Sequence, residues 1–370
     1  MIKVLRRHHQ LVAMAVIVFV WLGIIVFHPP RVSSDTLTYV EAIKVLSINA
    51  VSEDFLPNRI LTSYGYLQLI RLLDLFTEGD FKNGWLLLNT LFFLIANLFF
   101  YKTIIELYES KKIALFGILL IATNYAMVAN ALDYVMDIGG WASLSIAAYT
   151  AVRYMRTGLL RYVYYGAGSV AVGLFLKEYA ILGLLLLILV VAVKQHQNIG
   201  RMLTTLTRVA GIALIPVGVL YLWIYTEYQY SYLDWLSFNA TAVKPYYASK
   251  ALEYVKALGS LFTFGWFLFV ASLIVLIRNR GGYLRRDTLV FLCLFGVSVL
   301  PVLLWPFVTQ RILFPLVPLL VFVGVGIFVR YRALLYWTSP VLALYIITNY
   351  AMDAYVLKHV NIDFLFRFLM

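Results

Sequence analysis

The 370-residue chain is 63% hydrophobic and only 13% charged, with a mean hydropathy of +0.86. Soluble domains carry about 25% charged residues, so an ordinary soluble globular protein is excluded and an integral membrane protein is expected. Apolar runs recur near the ~20-residue length that spans a bilayer, whereas membrane barrels alternate over ~10-residue segments, so the expected fold class is all-α and polytopic. The one cysteine, Cys293, excludes an intrachain disulfide and a thiol metal site.

In chain order, a basic start precedes an apolar run at 11–27 that lacks a small-residue cleavage site and is expected as a retained anchor. A long polar segment, 28–83, follows. Within it, Arg59 to Phe76 carries Arg71 and Asp74 in its second half, which predicts an amphipathic helix lying in the interface. Further apolar runs at 84–105, 113–131, 138–153, 161–176, 179–193, 209–225, 257–277, 288–307, 312–329 and 337–355 bring the expectation to eleven spans. Glycines in "GAGSVAVG" and "GVG" lack nucleotide-binding spacing and suit close helix packing instead. A single membrane domain over 1–370 is expected, with a catalytic core over 1–207 and more variable helices over 208–370.

Charge sets the expected direction. With the N-terminus cytoplasmic, that side holds 18 of the 30 Lys and Arg against Glu106, Glu109 and Asp287, a net +15, while the other side carries −3. Positive residues stay inside, so the N-terminus is expected in the cytoplasm and the C-terminus outside, in a plasma or inner membrane. The basic balance is topological and no nucleic-acid partner is expected. Both long polar segments, 28–83 and 226–256, then face outward, where functional loops are expected.

Four outward stretches bring ionisable groups to the ends of apolar runs. Asp35 follows "HPPRVSS", where it can also cap the next helix. Asp133 and Asp137 are four apart, hence on one face if that turn is helical. Lys177 and Glu178 interrupt a continuous apolar run, and Arg311 stands between two runs in "WPFVTQRILFPLVPLL". Charges at such depth need partners. Each alone has a structural explanation: a cap, a solvated helix end, a hairpin turn, an arginine reaching for headgroups. Together they gather carboxylates and cations at one face of a bundle.

This order of features, with an acid after the first span, an acidic turn two spans later, a Lys-Glu hairpin and a late "QRILFPLVPLL", resembles the GT-C superfamily of membrane glycosyltransferases. Protein O-mannosyltransferases and the lipid A aminoarabinose transferase belong to it. The chain departs from the pattern in its lone Asp35, in "PNRILTSYGYL" where an Arg-Pro-Pro-Leu-Tyr segment is usual, and in lacking a C-terminal soluble domain. The resemblance implies inverting transfer of a sugar from a polyprenyl-phosphate donor to a hydroxyl on a lipid, glycan or protein, in an outward-facing cavity among membrane lipids. Asp35 is then the general base. Lys177 and Arg311, with Arg59 as a third, neutralise the departing phosphate. Asp133, Asp137 and Glu178 can orient those cations, bind sugar hydroxyls or ligate a divalent cation such as magnesium or manganese. Aromatic residues from Tyr225 to Trp235 can stack on sugars or form an interfacial belt. The alternatives are a multi-span transporter or flippase, which would use charges or broken helices at mid-bilayer, and a lipid-linked polysaccharide polymerase.

Overall fold

The computed structural model describes residues 2–28, 30–48, 57–76, 81–243, 250–279, 281–305 and 308–359. Pro29, Lys244 and Pro306, within stretches singled out above, lie outside them. Among the described residues every regular element is helical. The chain runs through α1 (Ile2–Phe27), α2 (Ser34–Ile48), α3 (Asn58–Asp74), α4 (Phe81–Tyr108), α5 (Lys111–Ala122), α6 (Tyr125–Asn130), α7 (Asp137–Thr157), α8 (Leu160–Leu176) and α9 (Ile181–Gln195). It continues through α10 (Ile199–Tyr228), α11 (Tyr232–Val243), α12 (Lys250–Phe262), α13 (Gly265–Arg278), α14 (Arg286–Val299), α15 (Gln310–Leu313), α16 (Leu316–Gly324), α17 (Ile327–Arg330) and α18 (Thr338–His359).

Among the described residues five helical stretches are long and apolar enough to cross a membrane: His9–Phe27, Phe81–Tyr108, Glu178–Gln195, Ile199–Tyr228 and Arg286–Leu304. A sixth is counted if Ala251–Phe262 and Gly265–Arg278, bent by 91°, form one span. Several apolar runs of the sequence are thus folded as shorter pieces. The run at 113–131 breaks at Thr123, because the Asn124 side chain caps α6 by accepting from the Ala126 amide at 2.9 Å. The run at 312–329 breaks at Pro315, which begins α16 and has no amide to continue α15. In the bent pair, Thr263 takes φ +38°, and Asn349 of α18 donates to its hydroxyl at 3.1 Å.

At the centre stands α7, packed between α4 and α8 and touching α9 and α14. Small and hydroxylated residues (Gly139, Gly140, Ala142, Ser143, Ala147, Ala148) cover its buried surface. They lower its hydropathy and at the same time let neighbouring helices approach closely. At Gly173 of α8, a Cβ would lie 2.4 Å from the Ser143 Cβ and 2.7 Å from the Ala180 Cβ. By contrast, α10 shows Ile215, Val219 and Leu222 outward, an apolar face fit for lipid rather than water.

The α3 segment is a helix in the first polar segment, as expected, but it is not laid flat on the bundle by an apolar stripe alone. It buries Ile60, Leu61, Tyr66, Leu67 and Ile70 against α4, α8 and α2, which brings Arg59 at its start to the bundle end.

The tight α7–α8 seam predicts that Gly173→Ala lowers the thermal midpoint of the detergent-solubilised protein by several degrees, since overpacking costs about 1–3 kcal/mol. Gly168→Ala, one turn away with nothing within 4 Å of the added carbon, leaves the midpoint unchanged or raises it. Equal midpoints for the two variants would contradict the packing.

Candidate functional site

The entry to α2 is built by Ser33, not by Asp35. The Ser33 hydroxyl accepts from the Thr36 amide at 3.3 Å, and the Ser33 amide donates to the Thr36 hydroxyl at 2.9 Å. This reciprocal cap leaves the Asp35 carboxylate free for other partners. Thr36 also donates to the Tyr134 carbonyl at 2.9 Å, tying the start of α2 to the loop before α7. The reading of Asp35 as a helix cap is therefore corrected.

Asp35 instead sits between two guanidiniums. Arg59 Nη2 donates to its Oδ1 at 2.5 Å, and Arg311 Nη2 donates to its Oδ2 at 2.6 Å. Burial alone would raise the Asp35 carboxyl; Arg311 and Arg59 outweigh it and hold it well below the usual carboxylate range. Removing a carboxylate so placed leaves two arginines short of a counter-charge, and breaking a buried pair is destabilising. Asp35→Asn is thus not the structurally silent substitution that a solvent-facing base would allow.

Arg311 also reaches Asp137, its Nε lying 3.5 Å from Oδ2. Two local features place it there. Thr309 caps the single turn of α15 by accepting from the Ile312 amide at 3.3 Å. Phe314, just after it, stacks on Trp141 at 4.0 Å between ring centroids. Trp141 is one turn beyond Asp137 in α7, so the stack anchors the α15 turn beside the Asp137 carboxylate. Asp137 is almost fully buried, and among the described residues neither of its oxygens has a hydrogen-bond partner.

Lys177 occupies an extended residue between α8 and a 3-10 turn over Glu178–Ala180. Gly140 permits its approach to α7: a Cβ there would meet the Lys177 Cβ at 3.0 Å. The ammonium donates to the Tyr39 hydroxyl at 3.2 Å and lies 3.5 Å from Glu178 Oε2. Burial alone would lower the Lys177 ammonium, but Glu178, Tyr39 and Asp137 together more than offset it, so the group stays charged. Arg59 lies over the Tyr39 ring at 4.6 Å, which makes Tyr39 the common support of two cations. Tyr39 escaped the sequence reading because one tyrosine among 27 carries no local pattern.

Six of the seven site residues expected near one centre are joined by these contacts, Lys177 through Tyr39 and Glu178 through Lys177: Asp35, Arg59, Lys177, Arg311, Asp137 and Glu178. Their charges are three positive and three negative. Asp137, Lys177 and Glu178 are buried, while the side chains of Asp35, Arg59 and Arg311 are 17–25% exposed. Nearby, Tyr221 and Tyr232 stack within the field of Glu178, and Tyr232 tilts against Trp235. These rings pack on one another.

Asp133 is the exception. Residues 131–136 form bends rather than a helix, so the four-residue spacing does not put it on the Asp137 face. Its oxygens accept from the Arg31 amide at 2.9 Å and Nε at 3.3 Å, and it faces His28 Nε2 at 3.4 Å. His28 Nδ1 is 2.5 Å from Asp353 of α18. This second cluster clasps the end of α1 to α18 and is structural. It was missed because its partners lie 325 residues apart. Among the described residues no group of three His, Cys, Asp or Glu side chains is arranged to hold a metal ion.

A third charged cluster lies at the far ends of the same helices. Arg153 and Arg156 of α7 contact Glu106 of α4 at 3.0 and 3.4 Å. Along α7, Asp137 and Arg156 are separated by roughly 28 Å at 1.5 Å per residue, close to the ~30 Å hydrocarbon thickness of a bilayer.

No protein-family model and no curated protein matches the chain, so its residues carry the functional reading.

The His28 clasp has a pH dependence. Burial would lower the His28 imidazole, but hydrogen bonds to Asp133 and Asp353 leave it raised above 6.5. A raised value in the folded state means stabilisation fully present below the unfolded value and lost as pH rises through the folded one. The thermal midpoint is expected to fall as pH is raised from 6.5, and His28→Asn is expected to remove that dependence. A wild-type midpoint that rises over this range, or an unaltered slope in the variant, would contradict the clasp.

Proposed function

We propose that the chain is a GT-C-type membrane glycosyltransferase that moves a sugar from a polyprenyl-phosphate donor to a hydroxyl acceptor. The observation that carries this reading is the convergence of Arg59 and Arg311 on Asp35 at one end of an apolar bundle, with Lys177 joined to Arg59 through Tyr39. Three fixed cations beside a carboxylate suit a reaction that expels a phosphate and deprotonates an alcohol. The apolar helices suit the donor's tail, and the proposed orientation follows the charge split: N-terminus in the cytoplasm, eleven crossings, site and C-terminus outside.

In the proposed step the acceptor oxygen attacks the anomeric carbon from the face opposite the phosphate. The new carbon–oxygen bond forms as the carbon–oxygen bond to phosphate breaks, and its electron pair leaves on the phosphate oxygen. Arg311, Arg59 and Lys177 meet that developing charge. The acceptor proton passes to the Asp35 carboxylate. Polyprenyl phosphate is the second product, and the configuration at the anomeric carbon is inverted. Glu178 and the nearby Tyr221 and Tyr232 offer acceptors and ring faces to the sugar. A second assignment of the base is favoured by one observation: both oxygens of Asp137 lack hydrogen-bond partners, which leaves it less committed than Asp35.

A transporter draws on the 91° break between α12 and α13. That break is closed by Thr263 and Asn349 and holds no charge, which favours transfer over transport.

Lys177→Met and Arg311→Met are expected to impair use of a synthetic short-chain polyprenyl-phosphate sugar, with KM raised or turnover lowered at least about tenfold. Asp35→Asn is expected to lower turnover by roughly 10²-fold, the scale of lost general-base catalysis. Radiolabelled sugar released to water or an added alcohol reads the reaction. Full turnover in Asp35→Asn with loss in Asp137→Asn would move the base to Asp137. Retained donor use in both cation variants would overturn the transferase reading. Topology has its own readout: a cysteine at Val32, an exposed position, should react with an impermeant maleimide from outside in intact cells. Labelling only after permeabilisation would reverse the orientation.

A further inference from the structure

The resting site is balanced, with Arg59, Lys177 and Arg311 opposed by Asp35, Asp137 and Glu178. A phosphodiester entering this set adds one negative charge, and the monophosphate product adds more. The two outermost cations are already taken. Each guanidinium donates one Nη2 to a different oxygen of the same carboxylate, at 2.5 and 2.6 Å. Two arginines gripping two oxygens of one anion is the way such pairs bind phosphate. The anion in the grip belongs to the chain itself. It is also the group from which proton acceptance is required, and a carboxylate held by two guanidiniums is a poor base.

We infer that Asp35 is a built-in stand-in for the donor's phosphate, and that phosphate entry takes Arg311 and Arg59 away from Asp35, freeing its carboxylate to serve as the base. This rests on the reading of the donor as a lipid phosphate. The surroundings allow the exchange. Asp35, Arg59 and Arg311 are the exposed members of the set, so an incoming phosphate meets them first. Arg311 does not lose its place when Asp35 lets go, because its Nε remains beside the buried Asp137. Arg59 stays on the Tyr39 ring and bonded through Nε to the Thr38 hydroxyl at 2.9 Å. Only the Nη2 groups change partners. The base is thereby masked until the donor is in place, which guards the site against proton transfer to Asp35 before a sugar is available.

A competitor that is removed should leave the site more receptive, and this gives a sign that no organising role for Asp35 shares. The probe is farnesyl phosphate, with farnesol as the tail-only control, added to the full-length protein in detergent. Calorimetry and thermal shift read binding. Asp35→Asn is expected to have a lower midpoint than wild type without the probe. It is expected to bind farnesyl phosphate at least about tenfold more tightly, and to regain the wild-type midpoint when saturated. Asp35→Glu, which keeps the competing charge, should bind no more tightly than wild type. Arg311→Gln should lose binding, and farnesol should not distinguish the variants. If Asp35→Asn can be purified only with the probe present, the exchange is supported; failure to recover it even then overturns it. Equal or weaker binding by Asp35→Asn, with binding still lost in Arg311→Gln, overturns the exchange and leaves the phosphate-donor reading standing. Farnesyl phosphate binding that neither variant alters removes both.

Discussion

The contact on which the site depends is Arg311 held between Asp35 and Asp137. It joins the first turn of α2, the first turn of α7 and a one-turn helix near the end of the described chain. The Ser33–Thr36 cap fixes the start of α2, the Trp141–Phe314 stack fixes the α15 turn on α7, and Pro315 stands at the start of α16. Charges buried this way cost much desolvation energy. That cost is offset only by mutual pairing, so the arrangement specifies where three distant segments must meet. The cluster draws on both halves of the chain, with Arg311 contributed from the second.

Much of the site was legible in the sequence, and for one reason. Charged residues at the ends of apolar runs are costly, so Asp35, Asp137, Lys177 and Arg311 stood out against their surroundings. Arg59 was legible only as a weak third, since it opens a mixed segment rather than interrupting an apolar one; the structure makes it a direct partner of Asp35. Asp133 was misplaced because four-residue spacing implies a shared face only in a helix, and the chain bends there instead. Ser33, Ser34 and Asp35 are equally good caps by residue type, and only the geometry shows Ser33 in that role.

Where the apolar runs break was less legible than the fold class. Hydropathy windows register apolar length and do not register a break inside it, so Asn124, Thr263 and Pro315 pass unnoticed within apolar runs. The expected run at 138–153 corresponds to α7. Its small and hydroxylated residues reduce hydropathy, yet it is the most enclosed long helix, because those residues let α4 and α8 come close. Long-range pairing such as His28 with Asp353 has no local signature at all.

The neutral balance of the site links its stability to its chemistry. The same arginines that compensate Asp35 in the resting state are those proposed to compensate phosphate during transfer, so one set of cations serves both. The most direct test is the position of phosphate in a cryo-electron microscopy structure of the complex with a short-chain polyprenyl phosphate. The account predicts phosphate oxygens at hydrogen-bond distance, about 3 Å, from Arg311 and Lys177, with Asp35 no longer bridging the two arginines. Phosphate bound instead among Lys102, Arg153 and Arg156 at the opposite end of α4 and α7, with the Asp35 bridge intact, would contradict it.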